Sequence, residues 1–190
     1  MRKHTQLVLY QSILPLLHQP GCPFCRLLKD FQADRLQKHA QGELHHLCSF
    51  HVWGLAAVQD APAAARIFLD LVNQAAPLSN GVQTCDICSE VGREEDLRIR
   101  EFLSCLERAE VTEWLRAGGT LCIPHGLKLR SGMPPVLVPR IDSIMENCRR
   151  QLSADLKHLR DEWMPESNRT GWGSVGRAAE FLVALRGLRH

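Results

Sequence analysis

A single tyrosine, Tyr10, stands in 190 residues, and runs of β-branched residues are scarce. That argues against a core built from sheets, while the plentiful Leu, Ala, Arg and Glu favour helices. No stretch approaches the ~20 apolar residues of a membrane span. An excess of one charge is also missing: 23 Lys and Arg face 21 Asp and Glu, a net charge of +2. That balance disfavours nucleic acid as a partner, as does the lack of clustered aromatics for base stacking. Residues 128–190 are mildly basic, with 11 Lys and Arg against 7 Asp and Glu, which reads as a solvated helix face.

Familiar catalytic signatures are absent too. There is no G-x-S-x-G, no glycine-rich phosphate loop and no H-E-x-x-H. No catalytic residue is assigned, and the chain reads as non-enzymatic. Met1-Arg2-Lys3-His4 followed by Leu7-Val8-Leu9-Tyr10 has the outline of a signal peptide. Gln6, Gln11 and Ser12 break the apolar run, however, and no small-residue cleavage site follows. A cytoplasmic protein is expected, and in that reducing setting its cysteines stay thiols.

What is present is a four-point pattern that occurs twice. Cys22-Pro23-Phe24-Cys25 is followed by Cys48-Ser49-Phe50-His51, and Cys85-Asp86-Ile87-Cys88 by Cys122-Ile123-Pro124-His125. Each half offers a C-x2-C knuckle and an L-C-x2-H knuckle, hence three thiolates and one imidazole. That is a ligand set of closed, tetrahedral structural zinc sites, which leave no open position for catalysis. Two residues between ligands let one tight turn aim both at one ion, and a helix N-terminus there favours the thiolate form. Two zinc ions are expected, each site carrying net −1 and contributing on the order of 10 kcal/mol to folding.

Pairing within each half is the simplest arrangement, and exchange of knuckles between halves stays open. His18 makes H-x3-C-x2-C with Cys22 and Cys25, the arrangement of zinc-containing anti-sigma factors, but reads as a helix-end residue. Cys105 and Cys148 fall on apolar helix faces and read as small hydrophobes. His45 and His46 read as exposed turn residues, and Trp53 and Trp172 as packing residues.

The rest of the chain has helical periodicity. A helix is predicted over 5–17, weakened by Pro15, and another from the first knuckle with Phe24, Leu27, Leu28, Phe31 and Leu36 on its inner face. A third runs on from His51, and a fourth starts at Asp60 and Pro62 with Ile67, Phe68, Leu71 and Val72 as its stripe. Residues 77–81 read as a linker. Ile99, Phe102, Leu103 and Leu106 line a helix, and Val111, Trp114 and Leu115 extend or follow it until Gly118-Gly119. Leu137 through Trp163 read as one long amphipathic helix, and Trp172 to Leu185 as a last one. The prediction is all-α: a first metal-binding half over 1–76, a second over 82–132, and a helical pair over 136–190.

The duplicated knuckles, with Trp172, Ala178, Phe181 and Leu182 near the C-terminus, resemble a bacterial family of helical proteins with paired C-P-x-C and L-C-x-x-H knuckles and no established function. The resemblance implies that Cys22, Cys25, Cys48, His51, Cys85, Cys88, Cys122 and His125 are the knuckle positions here. The chain departs from it at Asp86, where the first knuckle has Pro23.

Three functions fit these residues. One is a zinc-stapled helical interaction or regulatory module with an unknown protein partner. The second is an iron–sulfur redox or sensor protein using the same ligands. The third is a zinc-based thiol switch, in which oxidation of the C-x2-C pairs ejects the metal.

Overall fold

A computed structural model of the chain describes residues 13–39, 47–58, 84–161 and 171–183, with positions 62, 65, 66, 68 and 69. Among these the protein is all-α, with no strand. A helical turn at 13–17 is followed by α1 (Pro23–His39), α2 (Ser49–Val58), α3 (Asp86–Ser104), α4 (Ala109–Ala117), α5 (Ile123–Gly132), α6 (Val138–Asp161) and α7 (Gly171–Val183). No helix among the described residues is long and apolar enough to cross a membrane. The expected linker at 77–81, residues 5–12, His45, His46 and the side chain of Trp172 lie outside the described part, as does most of the helix expected from Asp60.

The chain divides into two compact units, one formed by Met1–Leu27 with Leu97–His190 and the other by Leu28–Asp96. In the first, the buried faces of successive helices meet in one core, with Phe24, Phe102, Val111, Trp114, Leu121, Leu129, Ile141 and Ile144 at its centre. The Phe102 ring packs edge-on against Phe24 (centroids 5.4 Å apart) and Trp114 (5.7 Å), an orientation that aromatic quadrupoles favour. Helix α6 packs on α4, α5 and α7, and α5 also touches α7. In the second unit Leu28, Leu36, Ile87 and Val91 are buried.

Two glycine turns deliver knuckles. Gly21 (φ 92°) precedes Cys22, a left-handed conformation that side chains resist, and Arg26 donates to Gln19 (3.1 Å) and the Pro20 carbonyl across that turn. Helix α4 ends at Gly118 (φ 76°), and Gly119 N–H returns to the Trp114 carbonyl at 3.1 Å, closing the helix in a Schellman-type cap. A Cβ on Gly119 would stand 2.1 Å from the Trp114 indole, so only glycine lets the chain pass over this ring on its way to Cys122.

Candidate metal centres

Each of the four knuckles is the first turn of a helix. Cys22, Cys48, Cys85 and Cys122 immediately precede α1, α2, α3 and α5, and Cys25, His51, Cys88 and His125 are the third residues of those helices. In all four the leading cysteine's carbonyl accepts the first helical hydrogen bond: from Arg26 (3.2 Å), Val52 (3.0 Å), Ser89 (3.0 Å) and Gly126 (2.9 Å). The backbone of Cys122 is extended (φ −80°, ψ 159°) and its sulfur does not cap the helix. A cysteine in the N-cap place and a ligand three residues on therefore point the same way, with the helix's free amides behind them.

The eight side chains come together as two quartets, each drawn from both halves of the repeat. Cys22 and Cys25 meet Cys122 and His125, whereas Cys48 and His51 meet Cys85 and Cys88. The within-half pairing that the sequence makes simplest is not the one adopted. The first knuckle is held to the last by ring packing: Phe24, inside the first, lies 5.4 Å from the His125 ring and is fully buried. Each quartet lies wholly within one compact unit.

In the first quartet His125 Nδ1 lies 3.5 Å from Cys22 Sγ, 3.4 Å from Cys25 Sγ and 2.9 Å from Cys122 Sγ, and the sulfurs of Cys25 and Cys122 are 3.6 Å apart. In the second, His51 Nδ1 lies 3.3 Å from Cys48 Sγ, 3.3 Å from Cys85 Sγ and 3.4 Å from Cys88 Sγ, and Cys48 Sγ is 3.7 Å from Cys88 Sγ. Ordinary zinc bond lengths around a tetrahedron give S···S edges of ~3.8 Å and S···N edges of ~3.5 Å. Seven of these eight spacings lie within about 0.2 Å of those edges, Cys122 Sγ to His125 Nδ1 at 2.9 Å being the shorter one, and all are far longer than the ~2.05 Å of a disulfide. All eight cysteines are free thiols. Either quartet can hold one metal ion.

Proton affinities within each quartet are pulled apart by the crowding of its sulfurs. Burial pushes the Cys22 thiol up, but hydrogen bonds from Cys122, Cys25 and His125 outweigh it and hold Cys22 well below the ordinary thiol range. Cys25 is driven far above that range by its hydrogen bonds to Cys122 and Cys22 and by burial, and Cys122 is raised chiefly by Cys22. In the second quartet burial raises Cys48, yet the His51 backbone amide and the thiols of Cys88 and Cys85 prevail and lower it. Cys88 is pushed up to about 12 by burial and by its hydrogen bonds to Cys85 and Cys48. Several thiolates cannot share so small a space without a cation among them.

Residues outside the knuckles also shape the first site. Glu180 of α7 accepts a hydrogen bond from Cys22 N–H at 3.2 Å across 158 positions of chain, a contact with no local sequence signal. Cys148 joins Cys22 and Cys122 in lining a cleft of about 190 Å³ but belongs to neither quartet; burial raises its thiol. Cys105 and His18 are likewise outside both groups, Cys105 half-buried in a turn and His18 exposed after the first helical turn. Trp53 departs from expectation: it is 74% exposed, because α2 turns that side away from the ligands Cys48 and His51.

Comparison with protein-family models, with characterised proteins and with solved structures finds no match, so the reading of these centres rests on their own geometry.

Proposed function

We propose that the protein binds two zinc ions, one in each compact unit, through Cys22, Cys25, Cys122 and His125 and through Cys48, His51, Cys85 and Cys88. It acts as a non-catalytic helical interaction or regulatory module whose helix N-termini are stapled in pairs. The observation that carries this reading is the gathering of each quartet's four ligand atoms to within 4.8 Å of one another, with both S···S spacings, 3.6 and 3.7 Å, close to the edge of a single-ion tetrahedron. Thiolates with imidazole suit zinc among divalent ions. Two helix N-termini at each ion also offset the site's net −1 charge. A closed four-ligand shell gives the metal a folding role.

An iron–sulfur cluster fits this geometry poorly. Its sulfides and irons push protein ligands farther apart than the edge of one ion's coordination shell, whereas all four ligand atoms here lie within 4.8 Å of one another. Elemental analysis with a visible spectrum on anaerobically purified protein tests the proposal. Two zinc ions per chain and no visible absorbance are expected; iron with acid-labile sulfide, or no metal at all, would refute it.

A further inference from the structure

Helix α6 is 24 residues long, yet its fully buried residues, Ile141 and Ile144, stand in its first two turns. Its apolar stripe continues through Leu152, Leu156 and Leu159, which are only half-buried. Helix α7 lies against this second part, braced by an ion pair between Arg177 and Asp155 at 2.9 Å. Between the two helices runs a groove of about 390 Å³ whose apolar floor includes Leu152, Leu156, Phe181 and Leu182. Leu182 is 59% exposed, a large apolar side chain open at the groove.

The rim of the groove is cationic. Arg149, Lys157 and Arg160 line it, and among the described residues no carboxylate does. Arg149 and Arg160 pair with Glu146 and Asp161, exposed pairs that contribute little and open readily. Lys157 has no acidic partner among the described residues. An apolar floor between two helices with a positive rim calls for a third helix, apolar on one face and acidic at its flanks. The chain's own residues 184–190 carry Arg186, Arg189 and His190, the same sign as the rim, which disfavours them as occupant. Nucleic acid would need a denser run of cations, with aromatic side chains to stack on, and a flat bilayer does not complement a concave groove.

We infer that the groove between α6 and α7 docks an acidic amphipathic helix of a partner protein. The inference deepens the proposed module role and rests on the zinc reading in one respect. Glu180 ties α7, one wall of the groove, to the Cys22 amide at the first quartet, so stripping that metal loosens the wall and weakens docking.

The probe is a fluorescent peptide of about 18 residues, roughly five helical turns, with Leu at every third and fourth position and Glu elsewhere. A twin carries Lys in place of Glu, and binding to the metal-loaded full chain is read by anisotropy. The acidic peptide is expected to bind at least about tenfold tighter than its twin, and Lys157→Glu to remove about tenfold of that affinity. Leu156→Glu should abolish binding. Zinc content of each variant, measured on the same samples, certifies its fold. Equal binding of both peptides, binding of neither, or indifference to Lys157→Glu would overturn the inference. So would capture by phosphatidylglycerol vesicles in the absence of peptide binding. Protein that carries no zinc as isolated, purified anaerobically, yet discriminates the two peptides would uphold the groove and refute the zinc reading.

Discussion

The two quartets share ligands, helix geometry and spacing, and differ in what surrounds them. In the first, Cys22, Cys25, Cys122 and His125 are each 1% exposed, set into a core of Phe24, Phe102, Leu121 and Ile144. In the second, His51 and Cys85 are buried but Cys48 and Cys88 are only partly buried, and nearby Phe50 and Trp53 face solvent. One N-terminal turn, used four times, thus yields a centre fused with a hydrophobic core and a centre open on one side. The knuckle supplies the ligands; the packing behind it would set how readily a bound ion leaves and how much of the fold leaves with it.

The largest expected effect is at the first centre. Cys122→Ala removes a buried ligand, leaves Cys22, Cys25 and His125 in the core without the metal they close on, and should destabilise the protein by at least about 3–5 kcal/mol. Thermal unfolding and zinc content should both show it, and a variant that keeps two zinc ions and its melting temperature would refute the ligand assignment. Next, Trp114→Ala should cost roughly 3–5 kcal/mol, since this ring packs on Phe102 and over Gly119. Trp53→Ala should change stability by no more than about 0.5 kcal/mol, because Trp53 is mostly exposed. Denaturant melts of the pair would break the contrast between the units if the two costs were alike.

Metal release gives an intermediate effect. With a chromophoric chelator in excess, the second centre should give up its zinc at least about tenfold faster than the first, since the chelator reaches Cys48 and Cys88 without local unfolding. A single exponential for both ions would remove the distinction.

The smallest effect is in pH. Without metal the Cys88 thiol, pushed up to about 12 by burial and its sulfur neighbours, holds its proton at neutral pH, and zinc must displace it. Affinity at the second centre therefore rises with pH and falls on acidification. Zinc added to metal-free protein in weak buffer should release at least one proton per ion bound; pH-independent affinity would contradict the sign.

The knuckles were legible because their chemistry is local: a ligand, two residues and a second ligand at a helix start. The helices were legible for the same reason, from the periodic Leu, Ile and Phe of α1, α3 and α6. Pairing was not, since it joins Cys25 to Cys122 across 97 positions and Cys48 to Cys88 across 40, and spacing alone does not say which helix N-termini the fold brings together. Trp53 was misread because an aromatic in an apolar run gives no sign of which side its helix buries. Glu180 was invisible because a carboxylate on a solvated helix carries no mark of the distant amide it will meet.

The crossed arrangement is tested most directly by the zinc content of the double variant Cys48→Ala/Cys88→Ala. These two residues come from different halves of the repeat but from one quartet, and from the centre whose loss disturbs the core least. One zinc ion per chain, the same as in either single variant, is expected. No zinc, with the fold of the first unit retained by circular dichroism, would mean that each half holds its own ion and that the crossed pairing is wrong.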